Sequence, residues 1–154
     1  MEANSEAASP TNTPAQQQAE MTQAEVPQAE WARQATAAGA FLLDDGAIQG
    51  NGESDPLLLG PLCGKELGVV LGIQESVEQQ SLELTIWGSS DGQNWGSAPL
   101  LHFPQKFYVG VSELLLDLST QPQVTLLKAK WTANRWGRGS TTPAFRAYVF
   151  LRPA

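Results

Sequence analysis

The stretch from Leu82 to Trp95 restricts the fold more than any other. Leu82, Leu84 and Ile86 alternate with Glu83, Thr85 and Trp87. That is the period of a pleated strand with one face turned inward. Asp91-Gly92 follows inside a polar loop, Ser89 to Asn94. Glycine there supplies the positive φ that a tight reversal needs. A new run starts at Trp95. The segment reads as strand, turn, strand.

The texture on either side agrees. From Phe41 onward, short apolar runs are cut by Gly, Pro, Asp and Ser. Candidate strands are Phe41-Leu43, Pro56-Leu59, Leu67-Ile73, Leu82-Trp87, Leu100-Phe103, Phe107-Val111, Leu114-Leu118, Val124-Trp131 and Ala144-Leu151. Turn signals stand at Asp44-Asp45-Gly46, Gly50-Asn51-Gly52, Gly60-Pro61, Glu78-Gln79-Gln80, Asp91-Gly92 and Gln121-Pro122, and between Trp136 and Pro143. Short strands at this spacing, with no long helical period between them, predict an all-β fold. The expected architecture is an antiparallel β-sandwich, jelly-roll-like, of about eight strands, over residues 38–154.

Side-chain alternation assigns some faces. Leu114, Leu116 and Leu118 point inward and Asp117 outward. Phe145, Ala147, Val149 and Leu151 form a second inward row, with Arg146, Tyr148, Phe150 and Arg152 outside. Val124-Trp131 is less regular: Leu127, Ala129 and Trp131 alternate with Lys128 and Lys130, yet Leu126 falls with the lysines. A bulge or a second covered face would account for that.

Residues 1–37 differ in kind. The first thirty residues carry five acids and neither Lys nor Arg. They are rich in Ala, Gln, Glu, Thr and Pro, too poor in large apolar groups to offset the entropy of ordering. They read as a flexible acidic tail, with a short helix over 28–38 opened by Pro27 and closed by Gly39. Trp31 on that helix would dock on a surface. From Leu118 to the end there are six bases and no acid. The net charge of −7 therefore hides a gradient, and acidic tail and basic C-terminal region are complementary between neighbouring copies.

The chain has one cysteine, Cys63, so no intrachain disulfide forms. Secretory-signal architecture is missing from the N-terminus, and no stretch reaches the roughly 20 apolar residues that span a bilayer. The expectation is a soluble protein without a signal peptide, cytoplasmic or part of a virion-like assembly.

The pattern Ser89-Ser-Asp91-Gly92-Gln-Asn-Trp95 after an alternating strand resembles discoidin (coagulation factor 5/8 type C) jelly-roll domains. It is also similar to β-sandwich modules of phage virion proteins. Val124–Trp131 resembles the penultimate strand of such domains, and Arg146–Phe150 the last. The likeness implies a jelly-roll sandwich with a non-catalytic binding or assembly role. It implies that Ser89 and Asp91 bond loop amides around Gly92 and that Trp95 packs the returning strand. Discoidin domains are usually closed by a disulfide between their ends, which this chain cannot make.

Reactive chemistry finds little footing. Nucleophilic catalysis needs a nucleophile with a base in reach. The one histidine, His102, sits between Leu101 and Phe103 in a strand and reads as structural. A zinc site needs about four Cys, His or carboxylate ligands, so no metal site is expected. Asp44-Asp45 and Asp91 read as turn carboxylates, with loop-bound Ca²⁺ the alternative. Gly60 to Gly64 lacks the helix and Lys-Ser/Thr of a phosphate loop. No cofactor and no catalytic residue is assigned.

Recognition has better material. Thr132 to Pro143 joins the last two strands through about 12 residues, a length uncommon in loops without a task. Arg135, Trp136 and Arg138 combine flat donors with an aromatic plate. Trp87 lies opposite the inward row of its strand and is a second contact candidate. The expectation is a structural or interaction module, a subunit of a larger assembly that meets protein partners or its own copies. A carbohydrate-binding module using the 131–139 loop is the alternative. The net negative charge argues against nucleic acid.

Overall fold

The computed structural model describes residues 33–137 and 142–154. The acidic tail as far as Ala32, Trp31 included, lies outside the described residues, and so does Arg138. The strands in chain order are β1 (Arg33–Gln34), β2 (Ala40–Ile48), β3 (Gly52–Glu53), β4 (Leu57–Leu58), β5 (Glu66–Ser76), β6 (Gln80–Ser89), β7 (Leu101–His102), β8 (Gly110–Asp117), β9 (Leu126–Arg135) and β10 (Phe145–Pro153).

They form two sheets. One has the order β2-β10-β5-β8; the other has the order β1-β4-β9-β6-β7, with β3 also pairing β9. Every pairing is antiparallel except the two-residue match of β1 with β4. With the two-residue additions β1 and β3 set aside, eight strands remain. Their order is first-eighth-third-sixth across from second-seventh-fourth-fifth, the jelly-roll arrangement.

The alternating residues explain why the sheets face each other. Leu82, Leu84 and Ile86 on β6 are wholly buried, as are Ala147, Val149 and Leu151 on β10 and Val69 on β5. Leu116 and Leu118 close the same core from the β8 side, while Leu115, the residue before them, points outward and is 57% exposed. Each such leucine contributes about 1.5–3 kcal/mol by leaving water. Lys128 and Leu126 are also buried, yet β9 pairs with β6 residue for residue without a slip. The second face of β9 is therefore covered, and no bulge is present in that pairing.

Several local expectations change. Asp44-Asp45-Gly46 is not a turn but part of β2, where the pairing with β10 slips between Ala147 and Val149 and again between Val149 and Phe150. The extra residues kink the strand, and each aspartate meets an arginine: Asp44 faces Arg33 at 3.7 Å and Asp45 binds Arg146 at 2.8 Å. Residues 33–34 form a strand, not the end of a helix, because their backbone pairs with β4; Thr36 then starts a tight turn to Gly39. Residues 28–32 of that expected helix lie outside the described residues.

Phe107-Val111 is not a separate strand. Lys106 bridges to Leu82 in one sheet and Gly110 pairs with Ile73 in the other. The three residues between cross from sheet to sheet and have no ladder to join. The strand instead begins at Gly110 and absorbs Leu114 to Asp117. The run at Trp95 does not return as a strand either; pairing with β6 resumes at Leu100.

On the outside of the four-stranded sheet, Tyr148 stands directly opposite Gly72. Any Cβ at Gly72 would clash with the Tyr148 ring at its hydroxyl end, so the aromatic covers the bare glycine. Phe41 packs edge-on against Tyr148 and Phe150, with centroids 5.9 and 4.9 Å away. Gly72→Val should expel the Tyr148 ring and destabilise the fold by about 1–3 kcal/mol. Urea denaturation should show this as a lower midpoint, and a Tyr148→Ala background should absorb most of the loss.

Candidate interaction surface

The corner between β5 and β6 builds one end of the sandwich. The chain leaves one sheet at Ser76 and enters the other at Gln80, turning through Gln79 at a φ of 61°. Gln80 is polar yet 1% exposed. Its side-chain amide donates to the Ala144 carbonyl and accepts from the Ala144 N–H, both at 2.7 Å. It thus imitates a backbone partner for the residue before β10. The same Nε2 also donates to Ser76 Oγ at 3.0 Å. Both polar groups of Ala144, which is partly buried, are thereby satisfied.

The corner also places two aromatic residues. Trp136 N–H donates to the Gln79 carbonyl at 2.8 Å. Ser76 Oγ donates to the Phe107 carbonyl at 3.2 Å. The Trp136 and Phe107 rings then meet edge to face, 6.4 Å apart at 80°. Tyr108 is 81% exposed, Val109 60% and Trp136 48%. With Val77 and Phe107 they surround a cleft of about 730 Å³. Among the described residues Glu78 is the sole acid on its walls. Apolar groups this exposed and contiguous make this end the candidate contact site.

Of the residues singled out by sequence, Trp136 belongs to this surface. Arg135 turns back instead: its Nη1 donates to the Thr142 carbonyl at 3.4 Å. Trp87 lies elsewhere, on the outside of the other sheet. It is half-buried, its Nε1–H donates to Thr85 Oγ1 at 2.9 Å, and Lys130 Nζ lies 4.3 Å from its ring centre. Beside it Lys128 Nζ sits 4.4 Å from the Trp95 ring and 2.7 Å from Glu53 Oε1. The hydrogen bond from Lys128, followed by the charges of Lys128 and Lys130, holds the Glu53 carboxyl below its ordinary range.

Phe107, Tyr108, Val109 and Val77 escaped the sequence reading. Their signal was available: Phe107-Tyr108-Val109 does not alternate, although a half-exposed strand should.

The Ser89–Trp95 loop is held by its own side chains. Ser89, 3% exposed, accepts from the amides of Asp91 at 3.2 Å and Gly92 at 2.8 Å. Asp91 Oδ1 accepts from the Ser89 hydroxyl and from the amides of Gln93 and Asn94. Those donors, Asn94 first, then Gln93, then Ser89, lower the Asp91 pKa. Gly92 has a φ of 80°. Trp95 has the Lys128 ammonium over its ring.

His102 is exposed. The Cys63 thiol donates to the carbonyls of Pro122 and Val124 at 3.3 and 3.2 Å. Among the described residues no three His, Cys, Asp or Glu side chains gather as a metal site would need. No described helix is long and apolar enough to cross a membrane.

No protein-family model matches the chain. No curated protein matches it. Among solved structures, a chain of the T13 IBDV viral particle is similar over 73% of this chain and 30% of that chain, at 13% identity and a TM-score of 0.41. The matched region thus spans less than a third of that neighbour.

Ser89→Ala should strand two loop amides and destabilise the domain by about 1–3 kcal/mol, as chemical denaturation would show. A lowered carboxyl pKa adds stability above the unfolded value and loses it as pH falls through the folded one. Asp91→Asn should therefore flatten the fall in stability as pH drops below 3.8. Thermal melts across that acid range would reveal it.

Proposed function

We propose that this protein is a non-catalytic interaction module, a jelly-roll scaffold that takes part in a larger protein assembly by self-association. One observation carries the reading: Val77, Phe107, Tyr108, Val109 and Trp136 form a continuous apolar surface at one end of the sandwich. The Trp136 and Phe107 backbones are tied to the β5–β6 corner by hydrogen bonds with the Gln79 carbonyl and the Ser76 hydroxyl, so this part of the surface is preorganised and binding orders few additional groups. The self-tied Ser89–Trp95 loop supports the same view, since its residues bind each other and leave few donors for a ligand.

Carbohydrate binding is the second reading. It draws on the exposed Trp136 and Tyr108 rings beside the side chains of Gln79 and Glu78. Arg135, spent on Thr142, adds little to it, and the valines of the cleft favour an apolar protein contact.

Sedimentation equilibrium of the full chain tests the choice. Concentration-dependent association is expected, weakened at least about tenfold, or roughly 1.4 kcal/mol, by Tyr108→Ser with Trp136→Ser, with the circular dichroism unchanged. A monomer at all concentrations, together with glycan-array binding lost in the same variant, would transfer the site to the carbohydrate reading. A monomer with no array signal would reject both.

A further inference from the structure

The four edges of the two sheets are treated unequally. In the larger sheet the outermost strands, β1 and β7, have two residues each. In the smaller sheet, β2 is kinked by two register slips and carries Asp44 and Asp45. Short strands, bulges and charges are the usual protection against unwanted pairing. β8, the fourth edge, has no such kink. It runs for eight residues in unbroken register with β5, and among the described residues nothing pairs with its far side.

The direction of its backbone groups follows from one bond just past its end. Leu118 N–H donates to the Lys65 carbonyl at 3.0 Å, continuing the register in which Asp117 faces Glu66. Residues two apart in an antiparallel ladder point the same way. Leu116, Leu114, Ser112 and Gly110 therefore spend their groups on β5. Val111, Glu113, Leu115 and Asp117 aim theirs at the open side. The side chains of these same four residues lie on the outer face, reading apolar, acid, apolar, acid. Val111 is 69% and Leu115 57% exposed. Arg152 Nη2 lies 2.6 Å from Glu113, and Asp117 Oδ1 accepts the Ser119 amide at 2.9 Å.

We infer that β8 accepts an added antiparallel strand from another protein, an extended segment in which lysine or arginine alternates with apolar residues. Main-chain bonds to the four outward residues supply the attachment, and the alternating face supplies the choice of sequence. Opposite charges directly across a ladder are favourable and like charges are not. That rule separates this occupant from a second copy of β8. An antiparallel self-pair centred on Glu113 or Leu115 sets carboxylate against carboxylate. Centred on Leu114, it sets every carboxylate against a valine or leucine. A basic, alternating strand meets every position with a match. This surface begins next to Val109 of the Trp136 end, but it uses other residues and does not rest on that end's assignment.

The probe is a blocked peptide of sequence lysine-threonine-valine-threonine-lysine-threonine-valine, titrated into the ¹⁵N-labelled full chain. Expected are amide shifts over residues 110–117, with exchange protection at Val111, Glu113, Leu115 and Asp117. Replacing the peptide lysines by glutamate should weaken binding at least about tenfold. Leu115→Pro removes an N–H that the fold itself does not use and should abolish binding. Glu113→Gln with Asp117→Asn keeps the side-chain shapes and should weaken the lysine peptide at least about tenfold while removing its salt dependence. Equal affinity for the lysine and glutamate peptides would overturn the inference. So would shifts confined to the Trp136 end, no binding, or an unchanged affinity in the Gln/Asn variant. Should Leu115→Pro fail to fold, that double variant still decides. Failure here would leave the association through Tyr108 and Trp136 standing, because that is measured on different residues.

Discussion

A single amide side chain closes one end of this sandwich. Gln80 sits where the chain passes from one sheet to the other, and it binds both backbone groups of Ala144. Without it, a partly buried N–H and carbonyl just before the last strand would lose the one side chain that pairs both. The position of Trp136 depends on the same corner through Gln79, and that of Phe107 through Ser76. Three separate stretches of chain thus converge on five residues, Ser76 to Gln80. The exposed aromatic surface is a by-product of how the sandwich solves its own hydrogen bonding.

The other sheet solves a different problem. Its outer face carries Lys128 and Lys130, which a bare sheet would leave to water. Here the loop after β6 brings Trp95 over Lys128, Glu53 completes that ammonium's surroundings, and Trp87 lies beneath Lys130. A nearly buried lysine is tolerated because charge and ring both meet it. Trp87 and Trp95 are committed to this layer, while Trp136 is half-exposed at the sandwich end.

Much of the fold was legible because alternation and burial coincide. The rows Leu82-Leu84-Ile86 and Phe145 to Leu151 have the period of a strand and are buried as that period demands. Where the reading slipped, the deciding partner lay far away in sequence. Asp44-Asp45-Gly46 has the chemistry of a turn, but Arg146, some hundred residues on, and the ladder of β10 draw it into a bulged strand. The turn signal at Glu78-Gln79-Gln80 does mark a turn, but nothing local shows that Ala144 needs its last residue. Phe107 to Val109 looked like a strand by composition, whereas their role follows from which sheet stands on each side of them. Trp136 was visible as an aromatic in a long loop; its neighbours became visible when the corner did.

The sheet-to-sheet passages described above have a mechanical consequence. At the end that carries Tyr108, the peptide chain steps between layers both at Ser76–Gln80 and at Lys106–Gly110. Anything seated on Tyr108 and Trp136 would grip both layers at once. Such a clasp opposes sliding of one layer over the other, so occupancy at the tip would stiffen strands that the occupant never touches.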